Sequence, residues 1–235
     1  MTTTTSSWTG HDPAILRPAA VRPAAVWEVG ENGAVEGRDV LEAAGECQAL
    51  LGAAVDRDWT RPIPELDWTV AQAVTHMAEG TLWYATDLAA GQERQDTMEL
   101  RVPPETANAE LIRVIGTFAT VLARVIDGAP PGARGWHPHG LADASGFAAM
   151  ACDELLVHTD DTARGLGVPF APPTPLVRAT LERLFPWAPA GADPWPALLW
   201  ANGRVALPGH PRQARWRWHC APLEDWDGVN PADRR

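Results

Sequence analysis

The chain has 235 residues, with 30 acidic and 19 basic side chains and a formal net charge of −11. This length favours one domain with an appendage over two full domains. No apolar run reaches the roughly 18 to 20 residues that a membrane span needs, so we expect no spanning segment. Every basic residue is an arginine, which excludes a Schiff-base lysine and a lysine-containing phosphate loop. The acidic balance argues against a nucleic-acid partner, because phosphate binding needs clustered positive charge.

The cysteine pattern and the N-terminus bear on the cellular compartment. Cys47, Cys152 and Cys220 are odd in number, far apart and without a C-x-x-C pair, so neither a disulfide framework nor a thiolate zinc site is indicated. The first residues, MTTTTSS, lack the basic start and apolar stretch of a signal peptide. We therefore expect a cytoplasmic protein with reduced thiols.

Residues 1–36 are predicted to form an N-terminal extension. They contain a Thr/Ser run and the repeated pentapeptide RPAAV at 17–21 and 22–26. Such biased composition is typical of a leader on the surface of a protein, and we assign it no chemistry.

Four long stretches have apolar residues at helical spacing, and they cover about residues 39–55, 70–90, 105–126 and 142–166. Thr69 is a good N-cap for the second helix, and Gly167 is a good C-cap for the fourth. Four amphipathic helices with connections of this size predict a mainly α protein with a four-helix bundle over residues 37–168, either antiparallel or partly crossed.

The C-terminal part differs from the helical region in composition and in its pattern of apolar residues. Four prolines between 169 and 175 indicate a boundary, and a short helix is predicted at about 176–185. Three apolar runs then predict short strands at 197–201, 205–208 and 214–219. Asn202-Gly203 is a strong signal for a hairpin turn between the first two. Residues 169–235 are therefore predicted to form a small α/β C-terminal domain that packs on the bundle.

Spacing within the helices suggests a metal site. Glu154 and His158 are four residues apart and share one helix face, with Cβ atoms about 5 to 6 Å apart. A carboxylate on this mostly apolar face needs a partner or a cation. His76, on the second helix, offers another imidazole. Two imidazoles and a carboxylate form a common catalytic zinc set, although iron, nickel or manganese would also suit them. Spacing alone leaves open an ordinary Glu–His surface pair and a packed or capping histidine.

Two segments resemble a known family. Residues 66–80, LDWTVAQAVTHMAEG, are similar to the Trp-Thr-Val and His signature of the DinB-like superfamily, specifically of its mycothiol-dependent maleylpyruvate isomerase group. Residues 154–161, ELLVHTDD, are similar to the E-x-x-x-H-x-x-D stretch of that group. The likeness covers about residues 39–167, with fainter traces at 202–204 and 216–218.

The resemblance implies a DinB-like four-helix bundle whose divalent metal, usually zinc, is held by His76, Glu154 and His158. Asp161 also matches the family pattern, and we expect it to orient a ligand from one turn beyond His158; a solvated acid at the helix end is the alternative. Arg204 is a candidate contact for an acidic substrate, and an exposed turn arginine is the alternative.

Other residue types that carry chemistry have simpler explanations. His137 and His139, separated by a proline, favour a turn, with a position at the mouth of the pocket as the functional alternative. Arg164 lies four residues after Asp160, which predicts a surface ion pair. Cys152 is predicted to be a small core residue.

The resemblance further implies an enzyme in which the metal binds a small-molecule thiol and lowers its pKa. The metal-bound thiolate would add to a cis double bond of a small acidic or unsaturated substrate, and elimination after rotation would give the trans isomer. A thiol transferase would stop after addition or displace a leaving group. The all-arginine composition fits a GC-rich genome, such as those of the actinobacteria that make mycothiol, so mycothiol is the expected thiol.

Two other functions remain open from the sequence. A metal-dependent hydrolase would use metal-bound hydroxide as the nucleophile and would need no thiol. A non-catalytic metal-binding or ligand-binding stress protein of the DinB-like type could be built on the same bundle. The sequence also leaves the choice between a monomer and a homodimer open.

Overall fold

The structure is a computed structural model and describes residues 34–234. The predicted N-terminal extension, residues 1–36, therefore lies outside the described residues except for its last three positions. The described part is mainly helical. Its helices are α1 (Gly37–Ala53), α2 (Val70–Ala90), α3 (Asn108–Gly128), α4 (Ala144–Leu166), α5 (Thr174–Leu184) and α6 (Pro194–Ala201). Two short 3₁₀ turns follow at Leu223–Asp225 and Pro231–Asp233. Within residues 34–234 no helix is both long and apolar enough to cross a bilayer.

Helices α1 to α4 form the predicted bundle, and its connections are crossed. Both α1 and α2 pack against α3 and against α4, so α1 and α2 occupy opposite corners. Helix α5 packs on α4, and α6 packs on α5. Helix α4 is therefore covered from two sides, and 18 of its 23 residues are buried. This central position explains how α4 can hold polar side chains away from water.

The ends of the two helices that carry the site follow local capping rules. The Thr69 side chain accepts a hydrogen bond from the Gln72 backbone, and the Gln72 side chain accepts one from the Thr69 backbone, which forms a capping box at the start of α2. The Asp143 side chain caps α4 by accepting from the Gly146 N–H at 2.8 Å. Gly167 ends α4 in the left-handed conformation, with φ of 67°. The predicted caps at Thr69 and Gly167 are confirmed.

The predicted α/β character of the C-terminal part is wrong for the described residues, which contain no strand. Residues 197–201 belong to α6, and residues 205–208 and 214–219 are irregular apart from isolated bridging at Leu207. The Asp193 side chain begins α6 as its N-cap. A short apolar run fits a buried strand and a buried helix equally well by periodicity, and here the cap and the proline that follows it favour the helix.

The Asn202-Gly203 pair closes a helix instead of a hairpin. The Gly203 N–H donates to the Trp200 carbonyl at 2.9 Å, and the Arg204 N–H donates to the Leu199 carbonyl at 2.8 Å. This is the hydrogen-bond pattern of a Schellman motif, and Gly203 has the required positive φ of 67°. Asn-Gly suits both structures because each needs a left-handed residue.

A buried arginine attaches the C-terminal part to the bundle. Arg183 of α5 is 2% exposed. Its guanidinium forms an ion pair with Asp143 and donates to the Ser145 hydroxyl at 3.3 Å, both at the start of α4. It also donates to the carbonyls of His219 and Cys220, each at 3.2 Å. One side chain therefore joins three parts of the fold.

Candidate metal centre

Three donor groups from two helices converge next to a cavity. His76 lies on α2, and Glu154 and His158 lie one turn apart on α4. Glu154 Oε2 is 3.3 Å from His76 Nε2 and 3.1 Å from His158 Nε2. The three ligand atoms all lie within 4.8 Å of one another. The structure thus brings together the three residues that the sequence singled out.

The carboxylate at the centre of this group lacks a hydrogen bond where it meets the imidazoles. Glu154 Oε2 is buried and accepts no hydrogen bond, although the Nε2 atoms of both imidazoles lie within 3.3 Å of it. The other oxygen, Oε1, accepts only a long bond of 3.5 Å from the Tyr84 hydroxyl. A buried carboxylate oxygen that accepts no hydrogen bond is costly. One cation shared by the three donors removes that cost, so these residues fit a metal.

The charges in the group are strongly coupled. Burial alone raises the pKa of Glu154, but the adjacent His158 and His76 outweigh it and hold the pKa well below its usual range. Burial alone lowers the pKa of His158, but the adjacent Asp161 and Glu154 outweigh it and raise the pKa. The site therefore favours a negative charge on Glu154 and a positive charge next to it. A divalent metal held by these residues would supply that positive charge in place of the imidazole proton.

Asp161 holds the far side of the His158 ring. Its carboxylate is fully buried, with Oδ2 3.0 Å from His158 Nδ1. Two arginines contact the same carboxylate, Arg164 from α4 and Arg204 from beyond α6. Burial raises its pKa, but the bonds to His158 and Arg204 hold the pKa well below the usual range. The alternative of a solvated acid is wrong, because no part of this side chain reaches water. The predicted Arg164–Asp160 pair is also present, at 3.5 Å.

Arg204 is not an exposed turn arginine. Its side chain is 15% exposed, and Nη2 donates to Asp161 Oδ2 at 2.8 Å. Its Nε lies 3.4 Å from Asp161 Oδ1, and Nη1 donates to the Asn202 carbonyl at 3.0 Å. Arg204 therefore lies beside the candidate ligands although it is far from them in sequence.

The cavity next to the donors has a volume of 230 Å³. Three indoles form much of its wall, from Trp68, Trp216 and Trp218. Trp68 lies over both imidazoles, with ring centroids 4.7 Å from His76 and 5.6 Å from His158. The His76 side chain is 41% exposed, so the group is reached from that side.

Sequence reasoning missed two polar residues of the cavity wall, Asp153 and Asn202. Asp153 is 1% exposed, and both of its oxygens accept hydrogen bonds, from Asn202 Nδ2 at 2.8 Å and from Trp218 Nε1 at 2.9 Å. Burial raises the pKa of Asp153 to about 7, although the bond from Asn202 opposes it. The sequence feature that could have identified Asp153 is an acidic residue directly next to Glu154 on a helix that is otherwise largely buried.

His137 and His139 form the predicted turn, in which the Gly140 N–H donates to the His137 carbonyl at 2.9 Å. His137 is buried, with its ring 5.8 Å from that of Tyr84 and 5.7 Å from that of Trp218. The rings of both histidines lie beside Trp218, which lines the cavity, but neither histidine is itself among the lining residues. Cys152 is a buried free thiol of the core, as predicted.

Comparison with known families identifies the bundle. The family model described as "Mycothiol maleylpyruvate isomerase N-terminal domain" matches residues 40–163, more than half of the chain. The chain belongs to this family. The match includes all three candidate ligands and Asp161, whereas Arg204 and the rest of the C-terminal part lie beyond it. Comparison with curated proteins and with solved structures returns no significant match.

Proposed function

We propose that this protein is a metal-dependent enzyme that uses a small-molecule thiol, with mycothiol the first choice, for cis–trans isomerisation or thiol transfer. The substrate is a small acidic or unsaturated molecule. The observation that carries the proposal is the convergence of His76, Glu154 and His158 beside a cavity in a chain of the mycothiol maleylpyruvate isomerase family. A cytoplasmic location is part of the proposal, since low-mass thiols are kept reduced there.

The three candidate ligands match a catalytic zinc set, in which three protein donors leave another position for a small molecule. A bound divalent metal would supply a Lewis acid that lowers the pKa of a thiol and gives a thiolate at neutral pH. Asp161 would keep the His158 ring oriented with Nε2 toward the metal, because Nδ1 is occupied by its carboxylate.

Other residues of the wall would position the substrate. Trp68 lies over the two imidazoles and would limit the access of water to the ring faces that it covers. Arg204 uses one N–H on each of its three nitrogens for Asp161 and Asn202, and a guanidinium carries five N–H groups. The two that are left suit a carboxylate of the substrate. In isomerisation the thiolate adds to one alkene carbon, the resulting single bond rotates and the same thiolate leaves, so no atom is gained or lost.

The test combines metal content with thiol dependence. We would measure the metal in purified, untagged wild-type protein, in a His158→Ala variant and in a His210→Ala control that removes an exposed histidine. About one equivalent of metal is expected in wild type and control and none in His158→Ala. Turnover of cis-unsaturated acids should require added mycothiol.

Each alternative predicts a different result. Turnover without any thiol would identify a hydrolase, and metal binding without turnover of any unsaturated acid or thiol acceptor would identify a binding protein. Wild-type protein that binds no transition metal even after reconstitution would refute the proposal as a whole.

A further inference from the structure

The chain from α6 onward contacts α4 on both sides of the candidate ligands. Asp153 immediately precedes Glu154, and its carboxylate is held by Asn202 and Trp218. Asp161 lies three residues after His158, and its carboxylate is held by Arg204. We name residues 194–220 the C-terminal clamp. The clamp contacts α4 at two acidic side chains, one on each side of the Glu154–His158 pair.

The contacts of the clamp with Asp153 and with Asp161 are both buried, and the residues that make them are held close together in the chain. Asp153 is 1% exposed, Asn202 2% and Asp161 0%. Asn202 and Arg204 are separated by a single residue, Gly203, and the two main-chain hydrogen bonds that end α6 fix their relative position. The clamp therefore makes or loses its contacts to the two acids together.

The same contacts reach the metal donors and the cavity. The Arg204 guanidinium donates a hydrogen bond to the Asp161 carboxylate, and that carboxylate contacts the Nδ1 atom of His158. Asn202, Arg204 and the indoles of the clamp also line the same cavity as the donors. If the clamp leaves α4, Asp161 loses one of its cationic partners and Asp153 is left with unsatisfied oxygens. The undocked state would thus hold His158 less firmly.

We propose that docking of the C-terminal clamp on α4 is thermodynamically coupled to divalent metal binding at His76, Glu154 and His158. In this scheme Asn202 and Arg204 are positioning residues that act on the ligands through α4. The coupling is reciprocal, so metal stabilises the docked clamp by the same factor by which docking strengthens metal binding. The inference rests on the proposed metal site.

The first measurement is the zinc affinity of the full chain by competition with a chromogenic chelator at one fixed pH. Asn202→Ala and Arg204→Gln should each bind zinc more weakly than wild type, by up to about 10-fold, because each residue is one contact further from the metal than the direct partners of ligands, whose removal costs about 10 to 100-fold. Arg178→Gln is the control, because Arg178 is an exposed arginine of α5 that pairs only with Glu182 in the described structure. Its affinity should equal that of wild type.

The second measurement tests reciprocity without activity. Zinc should slow backbone hydrogen exchange in residues 199–220 of wild-type protein, including the Arg204 N–H that bonds to Leu199 and the His219 N–H that bonds to Leu184. If Asn202→Ala fails to fold by circular dichroism, Trp218→Phe replaces it. That substitution keeps an aromatic ring and removes the indole N–H bonded to Asp153.

The outcomes separate the inference from the function on which it rests. Wild-type protein that binds no zinc refutes the metal site itself. Wild-type binding, with unchanged affinity in both clamp variants and unchanged hydrogen exchange, overturns the coupling and leaves the metal site intact. A loss of affinity in Arg204→Gln alone also overturns it, because the effect then passes through Asp161 without any contribution from docking.

Discussion

His137 should make the stability of the fold depend on pH. Its imidazole is buried between the rings of Tyr84 and Trp218, and its Nδ1 accepts the His139 backbone N–H at 3.1 Å. Burial lowers the pKa of His137 from 6.5 to about 4, and the neighbouring His139 adds to the effect. The native state therefore prefers the neutral ring.

The sign and size of the effect follow from linkage. Because the folded pKa lies below the unfolded value, the unfolded chain binds the extra proton as the pH falls from 6.5 toward 4. The unfolding free energy is therefore unaffected by this group at higher pH and decreases on acidification. The loss should be about 2 kcal/mol between about pH 7 and pH 5 and about 3 kcal/mol by pH 4.

The assay is urea unfolding at pH 7 and pH 5 of wild type, His137→Phe and a His210→Phe control, each in the same metal-free buffer. Wild type should lose about 2 kcal/mol more than His137→Phe, and the control should behave as wild type. Asp153, whose raised pKa gives the opposite slope, is present in all three proteins and cancels in the difference. Equal pH slopes in wild type and His137→Phe would refute the reasoning.

Three further substitutions test other contacts. Arg183→Met should lower the unfolding free energy by about 3 to 5 kcal/mol in urea titrations, because it leaves the Asp143 carboxylate without its buried partner. Gly203→Ala should lower it by about 2 kcal/mol, since φ is positive and an added Cβ would lie 2.8 Å from the Gln213 carbonyl. Tyr84→Phe should weaken zinc binding by less than about tenfold in chelator competition, because only a 3.5 Å bond to Glu154 is lost.

Matched controls make these results specific. Arg178→Met, on the same helix as Arg183, removes only an exposed pair and should cost less than about 0.5 kcal/mol. Gly132→Ala has a similar positive φ of 77° but no atom near the new Cβ, so it should cost less than Gly203→Ala. Equal losses within either pair would contradict the structural explanation. A zinc affinity for Tyr84→Phe as low as that of His158→Ala would show that Tyr84 does more than support Glu154.

Local sequence determined the helices and the pairing of donors within one of them. The bounds of α2 agree with the prediction at both ends, because the Thr69 cap lies within three residues of the groups it bonds. Glu154 and His158 share a face because they lie one turn apart on the same helix, whatever surrounds that helix. The same local reasoning failed at residues 197–201 and at Asn202-Gly203, where a strand with a turn and a helix with a cap use the same residue types.

Only the tertiary structure decided what covers the polar residues of α4. The sequence by itself did not link His76 to Glu154, and it was the family resemblance that joined the two helices. Asn202 and Arg204 lie 49 and 43 residues from Asp153 and Asp161, the acids they bond. A periodic pattern records that a helix face is buried, but it does not record which distant segment buries it. The charge partners of the metal donors therefore depend on packing between elements that local patterns leave unpaired.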